Sequence, residues 1–291
     1  MNFFNIIKKV FMFSSLFFYM QFVFSKPNHI KLWENTTLHN EKSKLYVFEP
    51  ADSLKNGIVA IICPGGSYQH LMGIQIEGFE VAQWLNKQGI TAFVLEYRVN
   101  KNFYHHPAMI EDIQKAINYV RTNVDKYKIN PDKLGVIGFS AGGHLSLMSG
   151  IFYGTNYLEK YGIKDSNLKP NFIVPVYPVV SMQDSIAHIR SRRNLLGNNI
   201  TKEDKDKFSM ELQVSDKMSP ALIVVAKDDP VVNYRNSINL YQNIEQKAIK
   251  NCKLLFYETG GHGFGLNDTK GGEAAKWKYS LIEWLKSINI L

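Results

Sequence analysis

The sequence predicts an α/β protein, with a mostly parallel sheet, helices on both faces, and a small insertion before the penultimate strand. Three observations carry this expectation. Short apolar runs alternate with amphipathic segments over most of the 291 residues. Several of those runs are continuously apolar, as strands buried on both faces must be. Strand–helix alternation over such a length is the pattern of a parallel sheet with right-handed crossovers. One interval, 181–219, breaks the rhythm.

The first 25 residues read differently from the rest. Lys8 and Lys9 form a positive start, and 10–24 is apolar except for Ser14, Ser15 and Gln21. Val23 and Ser25 stand at positions −3 and −1 of a cut before Lys26. This is the layout of a secretory signal peptide. It predicts a secreted or periplasmic protein whose mature domain is 26–291, with no stable membrane span after cleavage. The alternative is a retained anchor, but the apolar run is short for a bilayer.

Strands are expected at 45–48, 58–63, 91–95, 134–139, 172–177, 221–226 and 253–257. Pro107 opens a helix with Ile110, Ile113, Ile117 and Val120 on one face. A last helix repeats that spacing with Ala274, Trp277, Leu281, Trp284 and Ile288. Two more are expected near 79–85 and 234–249. The polar interval 181–219 reads as a loop-rich or helical insertion placed to cap a site at the strand ends. No linker divides the mature chain.

Composition is ordinary for a globular domain, at 45% hydrophobic and 21% charged. The formal charge is +8, and Lys8 and Lys9 contribute two of those charges. The remaining lysines are dispersed, so no nucleic-acid partner is inferred. Arg190, Arg192 and Arg193 form the one compact basic group, read as a solvated face or, if the interval 181–219 caps a site, as a contact for acidic substituents of its ligand. Cys63 and Cys252 make no disulfide framework, and Cys63 reads as a buried thiol. Nothing in the pattern fixes an oligomeric state.

Three strand ends carry chemistry. Gly138-Phe139-Ser140-Ala141-Gly142 follows the strand 134–139 and precedes a helix start. A serine at such a turn is held in strained geometry with its hydroxyl presented, and small residues two places either side let the turn close. Asp228 and Asp229 follow the strand 221–226. A carboxylate there orients and stabilises an imidazolium, and Pro230 favours Asp229 over Asp228. Gly260-Gly261-His262-Gly263-Phe264-Gly265 follows the last strand and frees His262 to reach back over the sheet edge. The chain order Ser140, Asp229, His262 is that of an α/β-hydrolase. Glycines in Cys63-Pro64-Gly65-Gly66-Ser67-Tyr68 let backbone N–H groups approach a substrate oxygen. The expected oxyanion donors are Gly66, Ser67 and Ala141.

Other residues read more plainly. Tyr68 either lines a substrate pocket or packs over its loop. Glu77 is either a supporting acid or a helix-start charge. His144 is expected to pack behind the elbow. His105 and His106 lack metal-ligand spacing, and no metal or organic cofactor is expected.

The sequence resembles the α/β-hydrolase family of bacterial carbohydrate esterases that includes acetyl xylan esterases and feruloyl-esterase-like proteins. The resemblance rests on Pro64-Gly65-Gly66-Ser67-Tyr68, Glu77-Gly78, Gly138 to His144, Asn194-Leu195-Leu196-Gly197, Asp228 to Val232 and Gly260 to Gly265. It runs from about Leu45 to the end. Ser67 departs from it where the family often has a third glycine, and Asn233 where relatives often have proline. The resemblance implies a Ser140–Asp229–His262 triad. It also implies a secreted serine esterase that removes acetyl groups from plant polysaccharide such as xylan, acting on an acylated carbohydrate or small ester. A feruloyl or broad short-chain esterase, a peptidase, or a non-catalytic binding protein on the same fold are the alternatives.

Overall fold

The computed structural model describes residues 27–34, 36–38, 43–164 and 166–291. The leader therefore lies outside the described residues. The strands are β1 His29–Lys31, β2 Lys44–Phe48, β3 Val59–Cys63, β4 Thr91–Glu96, β5 Leu134–Phe139, β6 Phe172–Val176, β7 Leu222–Ala226 and β8 Lys253–Tyr257. They form one eight-stranded sheet in the order β1-β2-β4-β3-β5-β6-β7-β8. β1 and β2 run antiparallel at one edge, and β3 to β8 run parallel. Every residue of β3, β5, β6 and β7 is buried, which is why their sequences are unbroken apolar runs.

The helices are α1 Glu80–Lys87, α2 Ala108–Thr122, α3 Val124–Tyr127, α4 Ala141–Ile151, α5 Ile189–Leu196, α6 Lys202–Phe208, α7 Arg235–Gln246, α8 Asp268–Gly271 and α9 Trp277–Ser287. Strand alternation splits the core in two. Val59, Ile61 and Cys63 of β3 join Ile113, Ile117 and Val120 of α2, Leu145 and Met148 of α4, and Leu240 of α7. Ala60 and Ile62 face the other way, with Val81 and Leu85 of α1 and Trp277, Leu281 and Trp284 of α9. Each fully buried large side chain contributes about 1.5–3 kcal/mol, so both helical layers are firmly held.

Two elements differ from expectation. β1 is a sheet-edge strand of three residues with an exposed-intermediate-exposed pattern, too short to give an apolar run. The C-terminal helix is broken. A 3₁₀ turn at Gly272–Lys276 precedes α9, because Gly272 takes φ 51° after α8. The interval 181–219 contains α5 and α6. A reciprocal cap between Thr201 and Asp204 opens α6, and Phe208 at its end is buried.

Candidate active site

The carboxyl ends of β3, β5, β7 and β8 deliver four loops to one rim of the sheet, where open α/β sheets place their ligands. The turn after β5 holds Ser140 at φ 54° and ψ −117°, directly before α4. Such backbone strain costs about 1–3 kcal/mol and must be enforced by surroundings. The glycines show how. A Cβ on Gly138 would lie 2.0 Å from the Gly142 carbonyl oxygen, and one on Gly142 would lie 2.0 Å from that of Cys63. Ser140 N donates to Val176 O at 3.0 Å, and Ser140 O accepts from Val179 N at 3.1 Å. The turn is thus pinned to both ends of the β6 exit.

His262 Nε2 lies 3.0 Å from Ser140 Oγ, and His262 Nδ1 lies 2.7 Å from Asp229 Oδ2. A carboxylate only accepts, so Nδ1 carries the hydrogen and Nε2 accepts from the serine hydroxyl. The Asp229 side chain is 0% exposed, and that of His262 13%. Asp229 Oδ1 accepts from Val231 N at 2.8 Å and Val232 N at 2.9 Å. Those two N–H groups fix the carboxylate rotamer. The adjacent acid does a different job. Asp228 Oδ1 accepts from Gly261 N at 2.8 Å and so ties the histidine loop to the acid loop.

The loop after β3 passes against the serine. A Cβ on Gly65 would lie 3.0 Å from Ser140 Cβ. Gly66 takes φ 140°, and a Cβ there would lie 1.7 Å from His70 O, so only glycine fits. Ser67 occupies φ 57°, a conformation that costs a non-glycine residue about 1–2 kcal/mol. Asn194 of α5 braces it, with Nδ2 donating to Ser67 O at 2.8 Å. Ala141 is the first residue of α4, so its N–H has no partner within the helix. The N–H groups of Gly66, Ser67 and Ala141 belong to the two loops that meet beside Ser140.

Tyr68 is a correction. It does not line a substrate pocket: its side chain is 0% exposed. A φ of 57° turns it inward, and its hydroxyl lies 2.9 Å from His144 Nδ1. His144 sits behind the elbow and is held neutral, its pKa pushed down to about 4 by burial.

Glu77 proves to be a supporting acid. Its Oε2 accepts from Gly65 N at 2.7 Å, and its Oε1 accepts from the Tyr177 hydroxyl at 2.8 Å. The same hydroxyl accepts from Gly265 N at 3.1 Å, and the Tyr177 ring stands 4.7 Å from the His262 ring. Glu77 and Tyr177 therefore connect the glycine loop to the histidine loop from below. Burial pushes the Glu77 pKa up, and its two hydrogen bonds oppose the shift. The sequence singled out neither Tyr177 nor the individual role of Asn194. The only available signal for Tyr177 was its place at the end of an apolar strand. Among the described residues no group of three or more His, Cys, Asp or Glu side chains is arranged to hold a metal, and no helix is long and apolar enough to cross a membrane.

Residues 45–244 match the sequence model of the BD-FAE family. An acetylxylan esterase from Xylanibacter ruminicola is 33% identical over 254 residues, covering 85% of this chain and 48% of that protein. Endo-1,4-beta-xylanase B from Butyrivibrio fibrisolvens is 30% identical over 264 residues, covering 88% of this chain and 41% of that protein. The chain thus spans less than half the length of either. Among solved structures, an acetyl ester-xyloside bifunctional hydrolase from Caldicellulosiruptor lactoaceticus superposes with a TM-score of 0.80 at 32% identity, covering 91% of this chain and 98% of that one. A Thermogutta terrifontis esterase shares the fold, at a TM-score of 0.73 and 22% identity. With a family match over most of its length and a structural relative that it covers almost end to end, the chain belongs to the BD-FAE family of α/β-hydrolase carbohydrate esterases.

Proposed function

We propose that the chain is a serine carboxylic-ester hydrolase that removes acetyl groups from plant polysaccharide such as xylan, and that it acts outside the cytoplasm. The observation that carries the reaction class is the unbroken line from Asp229 through His262 to Ser140, 2.7 and 3.0 Å per link, beside a glycine loop. The relatives named for acetylxylan and acetyl ester-xyloside hydrolysis support the substrate. The leader-like N-terminal sequence supports the location.

In the first half-reaction His262 Nε2 takes the Ser140 proton as Oγ bonds to the ester carbonyl carbon. The carbonyl electron pair moves onto oxygen, which the N–H groups of Gly66, Ser67 and Ala141 receive. Asp229 stabilises the imidazolium through Nδ1–H. Collapse breaks the bond to the sugar oxygen, which leaves with the proton from His262. Water then gives a proton to His262 and attacks the acetyl-enzyme, acetate departs, and the proton returns to Ser140.

The test is acetate release from acetylated xylan, compared with ferulate release from feruloylated xylan. Acetate is expected from the wild type, with activity abolished in Ser140→Ala although that variant folds. Full activity in Ser140→Ala would sink the nucleophile assignment, and preferential ferulate release would replace the acyl group.

A further inference from the structure

Gln69 follows Ser67 by two residues, and three basic residues gather around it. Arg190 of α5 donates from Nε to Gln69 Oε1 at 2.8 Å, and its Nη2 reaches the same oxygen. Lys101 N donates to Gln69 O at 2.9 Å, fixing that lysine's backbone alongside. His70 is next in the chain. Burial lowers its pKa, and the charges of Arg190 and Lys101 lower it further, which places both cations near its ring.

Unlike Arg98 and Arg192, this group has no internal counter-charge among the described residues. Arg98 is buried between Glu111 and Asp112, and Arg192 pairs with Asp184. Arg190 is held instead by a neutral amide. No carboxylate lies within ion-pair distance of Arg190, Lys101 or His70 among the described residues. Arg190 and Lys101 are exposed. Glu96, which lines the recess shared with His70 and Lys101, is occupied by the Tyr46 hydroxyl at 2.6 Å and by Lys44 at 3.6 Å.

Two recesses flank the group. One of about 440 Å³ runs from His188 and Arg190 to Val231 and Asn233, on the loop that carries Asp229. The other, of about 540 Å³, opens past His70 and Lys101. Ile189 and Val231 leave apolar surface exposed beside Arg190, suited to the C–H face of a sugar. An unneutralised guanidinium with a free edge is a two-pronged receptor for a carboxylate.

We infer that this basic rim, Arg190 with Lys101 and His70, binds a carboxylate borne by the acylated carbohydrate, seating a uronic-acid substituent next to the ester under attack. The inference rests on the carbohydrate-esterase reading above and adds a specificity to it.

The experiment compares kcat/KM on acetylated xylo-oligosaccharides with and without a uronic acid, at low and high salt. The wild type should favour the acidic substrate by about tenfold at low salt. That preference should shrink as salt screens the exposed charges. The double variant Arg190→Gln, Lys101→Gln should bring the acidic-to-neutral ratio to near one. General structural damage lowers both rates and leaves the ratio standing. Equal use of both substrates by the wild type, or a preference that survives the double variant, overturns the subsite and leaves the esterase reading intact. Turnover of an aryl acetate with no acetate from either oligosaccharide overturns the carbohydrate reading, and the subsite with it.

Discussion

Two histidines lie on opposite sides of the Ser140 turn, and both are hydrogen-bonded at each ring nitrogen. His262 comes from a glycine loop at the rim, with a carboxylate on Nδ1 and the serine hydroxyl on Nε2. His144 comes from α4 behind the turn, with the Tyr68 hydroxyl on Nδ1 and the Phe208 carbonyl on Nε2 at 2.8 Å. The partners dictate opposite proton arrangements. A carbonyl only accepts, so His144 carries its hydrogen on Nε2 and accepts the tyrosine proton on Nδ1. His262 carries its hydrogen on Nδ1 and keeps a lone pair on Nε2, aimed at a nucleophile. An imidazole becomes a base through the anion behind it and the hydroxyl in front of it. The same ring between neutral groups in the core is a structural strut.

The sharpest test removes the His262 ring. His262→Ala should lower kcat/KM for an aryl acetate by roughly a millionfold, since members of such a triad act as one unit. Its unfolding free energy in urea should fall by only about 1–3 kcal/mol, the penalty for leaving Asp229 Oδ2 without its partner. Comparable activity in the variant would break the distinction.

The next largest effect separates the two acids. Asp229→Asn removes the anion behind His262 and favours the wrong tautomer, for an expected loss of about ten-thousandfold in kcat. Asp228→Asn keeps an oxygen that accepts from Gly261 N, so the loss should stay within about threefold. Steady-state rates on one aryl ester decide it, and the reverse ranking would exchange their roles.

Glu77→Gln probes the support beneath both loops. Glutamine offers one carbonyl oxygen where Gly65 N and the Tyr177 hydroxyl need two acceptors. The glycine loop should lose its register, lowering kcat about tenfold to a hundredfold, less than deleting an oxyanion donor outright. KM for a small ester should change little, because the loop's contribution grows as charge develops on the carbonyl oxygen. A loss confined to KM would move Glu77 from loop positioning to substrate binding.

What the sequence made legible follows from locality. Ser140, Asp229 and His262 each stand within a few residues of a strand end, and glycines announce the turns they need. The apolar faces of α2 and α9 were readable from their spacing, because burial acts on every third or fourth residue. Glu77 resisted a single reading because its partners are Gly65 and Tyr177, the latter 100 residues away. Tyr68 was open to misreading for a related reason. A tyrosine after a glycine turn suggests an exposed ring, and only its left-handed backbone and the distant His144 bring it inside. The break before α9 depends on Gly272, whose positive φ interrupts an otherwise continuous helical pattern.

The smallest expected effect is on stability and depends on pH. His144 is 0% exposed, and burial lowers its pKa from 6.5 to about 4. Between those values the unfolded chain holds a proton on this ring that the folded chain does not, so stability falls as pH falls. Across the window the loss from His144 is about 3 kcal/mol at most. His106 is lowered to about 4 as well, so it adds to the slope in any His144 variant equally. His144→Gln retains an amide donor and an acceptor but cannot be protonated. At pH 7 it should be less stable than wild type by about 1–3 kcal/mol, through imperfect bonds to Tyr68 and Phe208. That gap should narrow steadily as pH drops from 6.5 towards 4, because only the wild type is penalised by the proton at this site. Urea unfolding at half-unit pH steps measures both curves. Parallel curves would mean that His144 titrates alike in the folded and unfolded chains, and the contrast with His262 would then rest on hydrogen-bond geometry alone.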